Sequence, residues 1–111
     1  MSALTSELHE VEVEFETVDG TECEYEYKNT MLGEKAKIKK RRPDGHKSKT
    51  RDETAKAEVM RIVREVAPHP AMRGDELIDR TCQALGVDRA NLRRMEVEIE
   101  FKNGNEIAGK I

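Results

Sequence analysis

The chain has 111 residues, 36% of them hydrophobic and 39% charged, and its 20 lysines and arginines against 23 aspartates and glutamates leave a formal charge of −3. That length bounds it to a single domain, 1–111, and no stretch approaches the roughly 18 apolar residues that a membrane-crossing helix needs. With no tryptophan and 4% aromatic residues, the chain also lacks the material for the aromatic-lined pocket that most small-molecule sites use.

Residues 1–8 carry none of the regions of a signal peptide and read as a disordered tail. With Met1 as the native start the protein is expected in the cytoplasm, and with a leader removed it is expected at the cell surface or outside. Residues 10–18 then alternate, Val11, Val13 and Phe15 on one side and Glu10, Glu12, Glu14 and Glu16 on the other. Period two with β-branched and aromatic residues predicts a half-buried strand. Beyond Asp19-Gly20, Cys23, Tyr25 and Tyr27 alternate with Glu22, Glu24 and Glu26, which predicts a hairpin.

Parity sets the register of this hairpin. A two-residue loop would pair Val13 with Glu26 and mix apolar with acidic side chains on one face, which a half-buried sheet does not tolerate. A three-residue loop, Val18-Asp19-Gly20, sets Phe15 against Cys23, Val13 against Tyr25 and Val11 against Tyr27. That loop is a type I turn with a bulge, Gly20 supplying the left-handed residue.

A third strand is predicted from Glu34 to Lys40, with Ala36 and Ile38 inward and Lys35, Lys37 and Lys39 outward. A lysine strand is the natural neighbour of a glutamate strand, since opposite charges across a ladder help by about 0.2–1 kcal/mol per pair, so it is placed beside the second. Residues 39–51, with Lys39, Lys40, Arg41, Arg42, Lys47, Lys49 and Arg51 around Pro43-Asp44-Gly45, hold no apolar residue and read as a basic flexible loop.

Thr50-Arg51-Asp52-Glu53 has capping-box spacing before a helix whose buried stripe is Ala55, Val59, Ile62, Val63 and Val66. Pro68-His69-Pro70 ends it. A second helix is predicted over about Asp75–Leu85, with Leu77, Ile78, Cys82 and Leu85 as its stripe and Gly86 as its stop. Asp88 is placed to cap one more turn, Arg89–Arg93. Met95, Val97, Ile99 and Phe101 then alternate with Glu96, Glu98 and Glu100, and a three-residue loop Lys102-Asn103-Gly104 sets Ile99 against Ile107 and Met95 against Ile111. The predicted fold is α+β in two layers: a five-stranded, mainly antiparallel sheet (β-β-β-α-α-β-β, order 3-2-1-4-5) with two helices on one face.

The opening hairpin through Tyr25-Glu26-Tyr27, with Ala84-Leu85-Gly86-Val87-Asp88 and the run from Met95 to Gly104, resembles the YusW-like domain, a small uncharacterised bacterial domain. The resemblance covers nearly the whole chain in element order. It supports the fold and implies no enzymatic activity.

Chemistry-bearing constellations are sparse. Cys23 and Cys82 fall on apolar positions and read as buried thiols. His9, His46 and His69 have no zinc-ligand spacing, and no nucleophile elbow, P-loop or dinucleotide fingerprint is present, so neither an enzyme nor a cofactor is expected. Two charged groups remain. The glutamate face, chiefly Glu12, Glu14, Glu24 and Glu26, is suited to docking a basic protein partner. The basic segment could contact phosphates or an anionic surface, although it offers no aromatic for base stacking. The expected function is a non-catalytic binding or accessory module engaging a protein partner through these surfaces. The alternative is a weak nucleic-acid or anionic-surface binder working through residues 39–51.

Overall fold

A computed structural model describes residues 8–111. In chain order these form β1 (Leu8–Thr17), β2 (Glu22–Thr30), β3 (Gly33–Arg41), β4 (Lys47–Arg51), α1 (Asp52–Val66), α2 (Gly74–Leu85), one 3-10 turn (Arg89–Asn91), β5 (Leu92–Phe101) and β6 (Glu106–Lys110). Every neighbouring pair of strands is antiparallel, in a single sheet of order β4-β3-β2-β1-β5-β6. The tail expected over residues 1–8 lies outside the described residues except for Leu8, which is in β1 and wholly buried.

The sheet has six strands rather than five, and the additional one corrects the reading of residues 39–51 as a flexible loop. Lys37, Ile38, Lys39, Lys40 and Arg41 pair with Arg51, Thr50, Lys49, Ser48 and Lys47. Hydrophobic alternation could not reveal β4, because an edge strand can stand on its backbone ladder and its turn, and lysine is a common device for blunting such an edge. The same pairing corrects the capping box. Thr50 is a ladder residue opposite Ile38, Arg51 occupies the N-cap without a side-chain bond, and Asp52 turns the strand directly into α1 at φ +63°.

Three turns share one construction. The amides of Thr17, Arg42 and Phe101 donate to the carbonyls of Thr21, His46 and Asn105 at 2.8–2.9 Å. In each loop an Asx side chain (Asp19, Asp44 or Asn103) accepts from the amide two residues on, and the following glycine sits at φ +94°, +89° or +91°. The three-residue count gives the register expected from parity: Phe15 opposite Cys23, Val13 opposite Tyr25, Val11 opposite Tyr27, and Ile99 opposite Ile107. Met95 and Ile111 exchange backbone bonds at 3.1 and 2.9 Å.

The buried side chains of β1, β2 and β5 therefore form one hydrophobic layer, and α1 and α2 cover it. Ala55, Val59, Met60, Ile62, Val63 and Val66 line the inner side of α1, and Leu77, Ile78, Cys82 and Ala84 that of α2. Full burial of each Val, Leu, Ile or Phe contributes about 1.5–3 kcal/mol, so this face, rather than the charged one, determines the fold. Cys23 and Cys82 are both free and buried, and burial pushes both thiols up in pKa. Phe15 and Tyr25 stack at 6.5 Å. The Tyr27 hydroxyl reaches the sheet rim and donates to Glu34 at 2.6 Å, and Lys56 of α1 binds the other oxygen of that carboxylate at 2.6 Å. Asp88 caps the 3-10 turn through the Ala90 amide at 3.0 Å, although that turn ends at Asn91. Among the described residues no helix is long and apolar enough to cross a membrane.

The N-terminus of α2 rests directly on the backbone of β6. A Cβ on Gly109 would lie 2.5 Å from the Gly74 carbonyl and 2.9 Å from Ile78, and one on Gly74 would lie 2.7 Å from the Ala108 carbonyl. Gly109→Ala must push helix and strand apart, and overpacking of this kind costs about 1–3 kcal/mol. Its urea midpoint should fall accordingly; an unchanged midpoint would mean that α2 is free to slide off β6.

Candidate functional site

The helices cover one side of the sheet, and the other side is a continuous charged plane. Register sorts its side chains into rows running across the strands. One row reads Lys110, Glu96, Glu14, Glu24, Lys39, Lys49 from β6 to β4. The next reads Ala108, Glu98, Glu12, Glu26, Lys37, Arg51. Each row is acidic over β5, β1 and β2 and basic over β3 and β4. Neighbouring strands are about 4.8 Å apart, so the plane is divided lengthwise into an acidic and a basic half.

Glu12, Glu14, Glu24 and Glu26 thus stand together as the sequence reading had them. Of the seven basic residues, Lys39, Arg41, Lys47, Lys49 and Arg51 share this face with them. Lys40 does not: it is opposite Cys23 and so faces the helix side of the sheet. Arg42 closes the β3–β4 turn through its backbone bond with His46. The basic segment is therefore part of the same surface as the glutamates, and not a separate loop.

Some of these charges neutralise one another. Lys37 is 4.0 Å from Glu26, Arg41 pairs with Glu22 and Lys110 is 3.1 Å from Glu96. Arg94 is the most connected cation: its guanidinium lies 3.3 Å from Glu14, 3.3 Å from Glu16 and 3.8 Å from Glu22. The sequence reading missed Arg94, although its position two residues before Glu96 in an alternating strand already put it on the glutamate face. Exposed pairs like these are each worth about 0–1 kcal/mol.

Other charges are unmatched. Glu12, Glu24 and Glu98, and Lys39, Lys49 and Arg51, form no ion pair among the described residues. Glu12 has glutamates directly opposite on both neighbouring strands, Glu26 and Glu98. Together Glu12, Glu14, Glu96 and Glu98 ring a small hollow of about 70 Å³. Partial burial and then the charges of Glu98, Glu26, Glu10 and Glu14 raise the Glu12 carboxyl above the usual carboxylate range. On the other half, desolvation and the charges of Arg51, Lys39 and Lys37 lower the Lys49 amine. A shallow groove of about 500 Å³ runs along the boundary, with Glu14, Glu24, Lys39, Arg41, Lys49 and Arg94 in its lining. Among the described residues no cluster of histidine, cysteine and acidic side chains is arranged to hold a metal. What the plane can do chemically is attract and orient a charged surface.

The raised Glu12 carboxyl has a stability consequence. Its charged form is disfavoured by folding, so it opposes folding at neutral pH, and this opposition disappears as pH falls through its raised pKa. Glu12→Gln should therefore stabilise the protein at pH 7 by about 0.5–1 kcal/mol, from like-charge pairs of about 0.2–1 kcal/mol each. The gain should shrink towards zero below pH 4 and in high salt. Urea melts across pH would check this, and a gain that grew on acidification would show that the glutamate row is not repulsive.

No curated protein and no solved structure matches the chain. The family model described as YusW-like protein does match, over residues 7–103. That span runs from the start of β1 through β5 and into the last turn, taking in both helices and the whole of the acidic and basic halves, and the chain belongs to the YusW-like family.

Proposed function

We propose that the chain is a non-catalytic binding module that engages a protein partner through the charged outer face of its sheet. The observation that carries this reading is the adjacency of two oppositely charged, incompletely neutralised halves on rigid, hydrogen-bonded strands. Unmatched charge held on strands docks without ordering any backbone, and it steers a complementary surface over a distance set by ionic strength.

Phosphate binding is less well supported. Six cations, Lys37, Lys39, Arg41, Lys47, Lys49 and Arg51, do share one side of the β3–β4 ribbon, and a two-stranded ribbon fits a major groove. However, Glu24 and Glu26 lie one strand away, opposite Lys39 and Lys37, where they would repel a polyanion. The chain as a whole is acidic, with an isoelectric point of about 5.7. A protein surface can present both signs of charge, and a nucleic-acid backbone presents only one.

The wild-type chain, Lys39→Ser/Lys49→Ser and Glu12→Ser/Glu98→Ser serve as immobilised baits in cell extract at about 20 mM and about 300 mM salt, a range over which screening changes several-fold. The reading expects a bound protein that wild type retains at low salt and that both variants lose. It is overturned if the three baits capture the same proteins. It is also overturned if a short DNA duplex binds the β3–β4 ribbon at moderate salt while no protein does.

A further inference from the structure

The outer face is its own electrostatic complement, and the strand order shows how. Five strands matter, in the order β4-β3-β2-β1-β5. A two-fold axis lying in the interface and running along β2 places β3 of one copy over β1 of the other, and β4 over β5. Because that axis is parallel to the strands, it leaves each row at its own level. Lys39 then stands over Glu14 and Lys49 over Glu96. One row along, Lys37 stands over Glu12 and Arg51 over Glu98. Each contact occurs twice by symmetry, and all four have opposite signs; only β2, on the axis, meets its own copy, Glu24 over Glu24 and Glu26 over Glu26.

We infer that the partner of this face is a second copy of the same chain, packed face to face about a two-fold axis along β2. This deepens the reading of the face as a protein-binding surface and rests on it. The other in-plane axis, perpendicular to the strands, lays every strand on itself, so that β1 and β5 as well as β2 stack glutamate on glutamate and β3 and β4 stack cation on cation. A closed pair about one two-fold axis uses the same patch on both copies and does not polymerise.

The rows supply the unmatched groups the arrangement needs. Among the described residues Lys39, Lys49, Arg51, Glu12 and Glu98 have no ion pair, so each of the four contacts has at least one free member; Arg51 over Glu98 has two, whereas Glu14, Glu96 and Lys37 are shared with Arg94, Lys110 and Glu26. The like-charge crowding around Glu12 and Lys49, which adds to the effect of burial in raising the one group and lowering the other, is relieved when the opposite half arrives. Stacked sheets lie about 10 Å apart, a gap that a lysine and a glutamate bridge end to end. Five strands at about 4.8 Å spacing and about 25 Å of shared length give roughly 600 Å² per copy. That is below the ~800 Å² of a standard interface, as befits a weak and reversible pair.

Sedimentation equilibrium of the full chain tests the inference. At about 20 mM salt and high protein concentration the mass should rise from 12.7 kDa towards twice that value, and it should return to the monomer at about 0.5 M salt, where the Debye length is only a few ångströms. Lys39→Glu/Lys49→Glu and Glu14→Lys/Glu96→Lys, each verified as folded by circular dichroism, should both be monomeric alone. Mixed in equal amounts they should form a heterodimer, since each reversed pair faces the other. A wild-type chain that stays monomeric at low salt overturns the inference, and that measurement needs no variant. So does a dimer indifferent to salt and to both reversals. If the chain is monomeric yet still captures a different protein through Lys39 and Glu12, the second-copy inference fails and the binding-module reading stands. If neither occurs, both fail.

Discussion

The number of residues in a turn decides which side chains share a face. Strand side chains alternate with period two, so one residue more or fewer in a hairpin loop moves a whole strand's apolar set to the wrong side. Here the constraint is met the same way three times. Asp19-Gly20, Asp44-Gly45 and Asn103-Gly104 each end a three-residue loop in which the Asx side chain and a left-handed glycine fix the count. The apolar core and the charged plane follow from that parity, and the division into halves follows from the two-residue Met31-Leu32 turn that sets β3 beside β2 with Lys37 and Lys39 opposite Glu26 and Glu24. A slipped register in β1–β2 would bury Glu26 against Val13, a cost of several kcal/mol for an unpaired carboxylate.

The glutamate rows show which force wins. Glu10, Glu12 and Glu14 face Glu100, Glu98 and Glu96 across the β1–β5 ladder, an arrangement that charge alone would not choose. Directly behind them Val11, Val13 and Phe15 meet Ile99, Val97 and Met95, all buried. Repulsion at about 0.2–1 kcal/mol per pair is outweighed by apolar burial at about 1.5–3 kcal/mol per side chain. The acidic half is thus a by-product that the core can sustain, and Arg94 partly offsets it by reaching three carboxylates.

Most of this was legible in the sequence where apolar periodicity or turn chemistry spoke. The β1–β2 and β5–β6 registers, the placement of β3 beside β2, the stop at Gly86 and most of the helix stripes follow from those two signals; Leu85, expected in the second stripe, is only half-buried, and Met60, Thr81 and Ala84 are buried beyond the expected stripes. β4 was not legible, because Lys47-Ser48-Lys49-Thr50-Arg51 has no large apolar residue and an edge strand needs none. That single omission made Lys39, Lys49 and Arg51 look like a loop when they are a wall of the same surface as Glu12 and Glu24. The start of α1 was misplaced for the same reason: Thr50 is engaged by the ladder, and its hydroxyl spacing to Glu53 is incidental. Gly74 against Gly109 had no sequence signal, since the contact joins residues 35 positions apart and depends only on how close two backbones come.

The sheet order also has a kinetic meaning. β1 through β4 form a meander in which every strand pairs with its neighbour in sequence, and β5 with β6 forms a local hairpin. The two blocks meet in the sheet only along β1–β5, where Glu16 and Arg94 are 78 positions apart and bonded at 3.3 Å. Local hairpins close fast, whereas joining distant segments carries the loop entropy of everything between them. The β1–β5 seam is therefore where the ordering of the helices and of the sheet become one event. Until it forms, that edge of β1 is an open ladder with valines on one side, and the glutamates on its other side disfavour edge-to-edge pairing with the β1 of another copy.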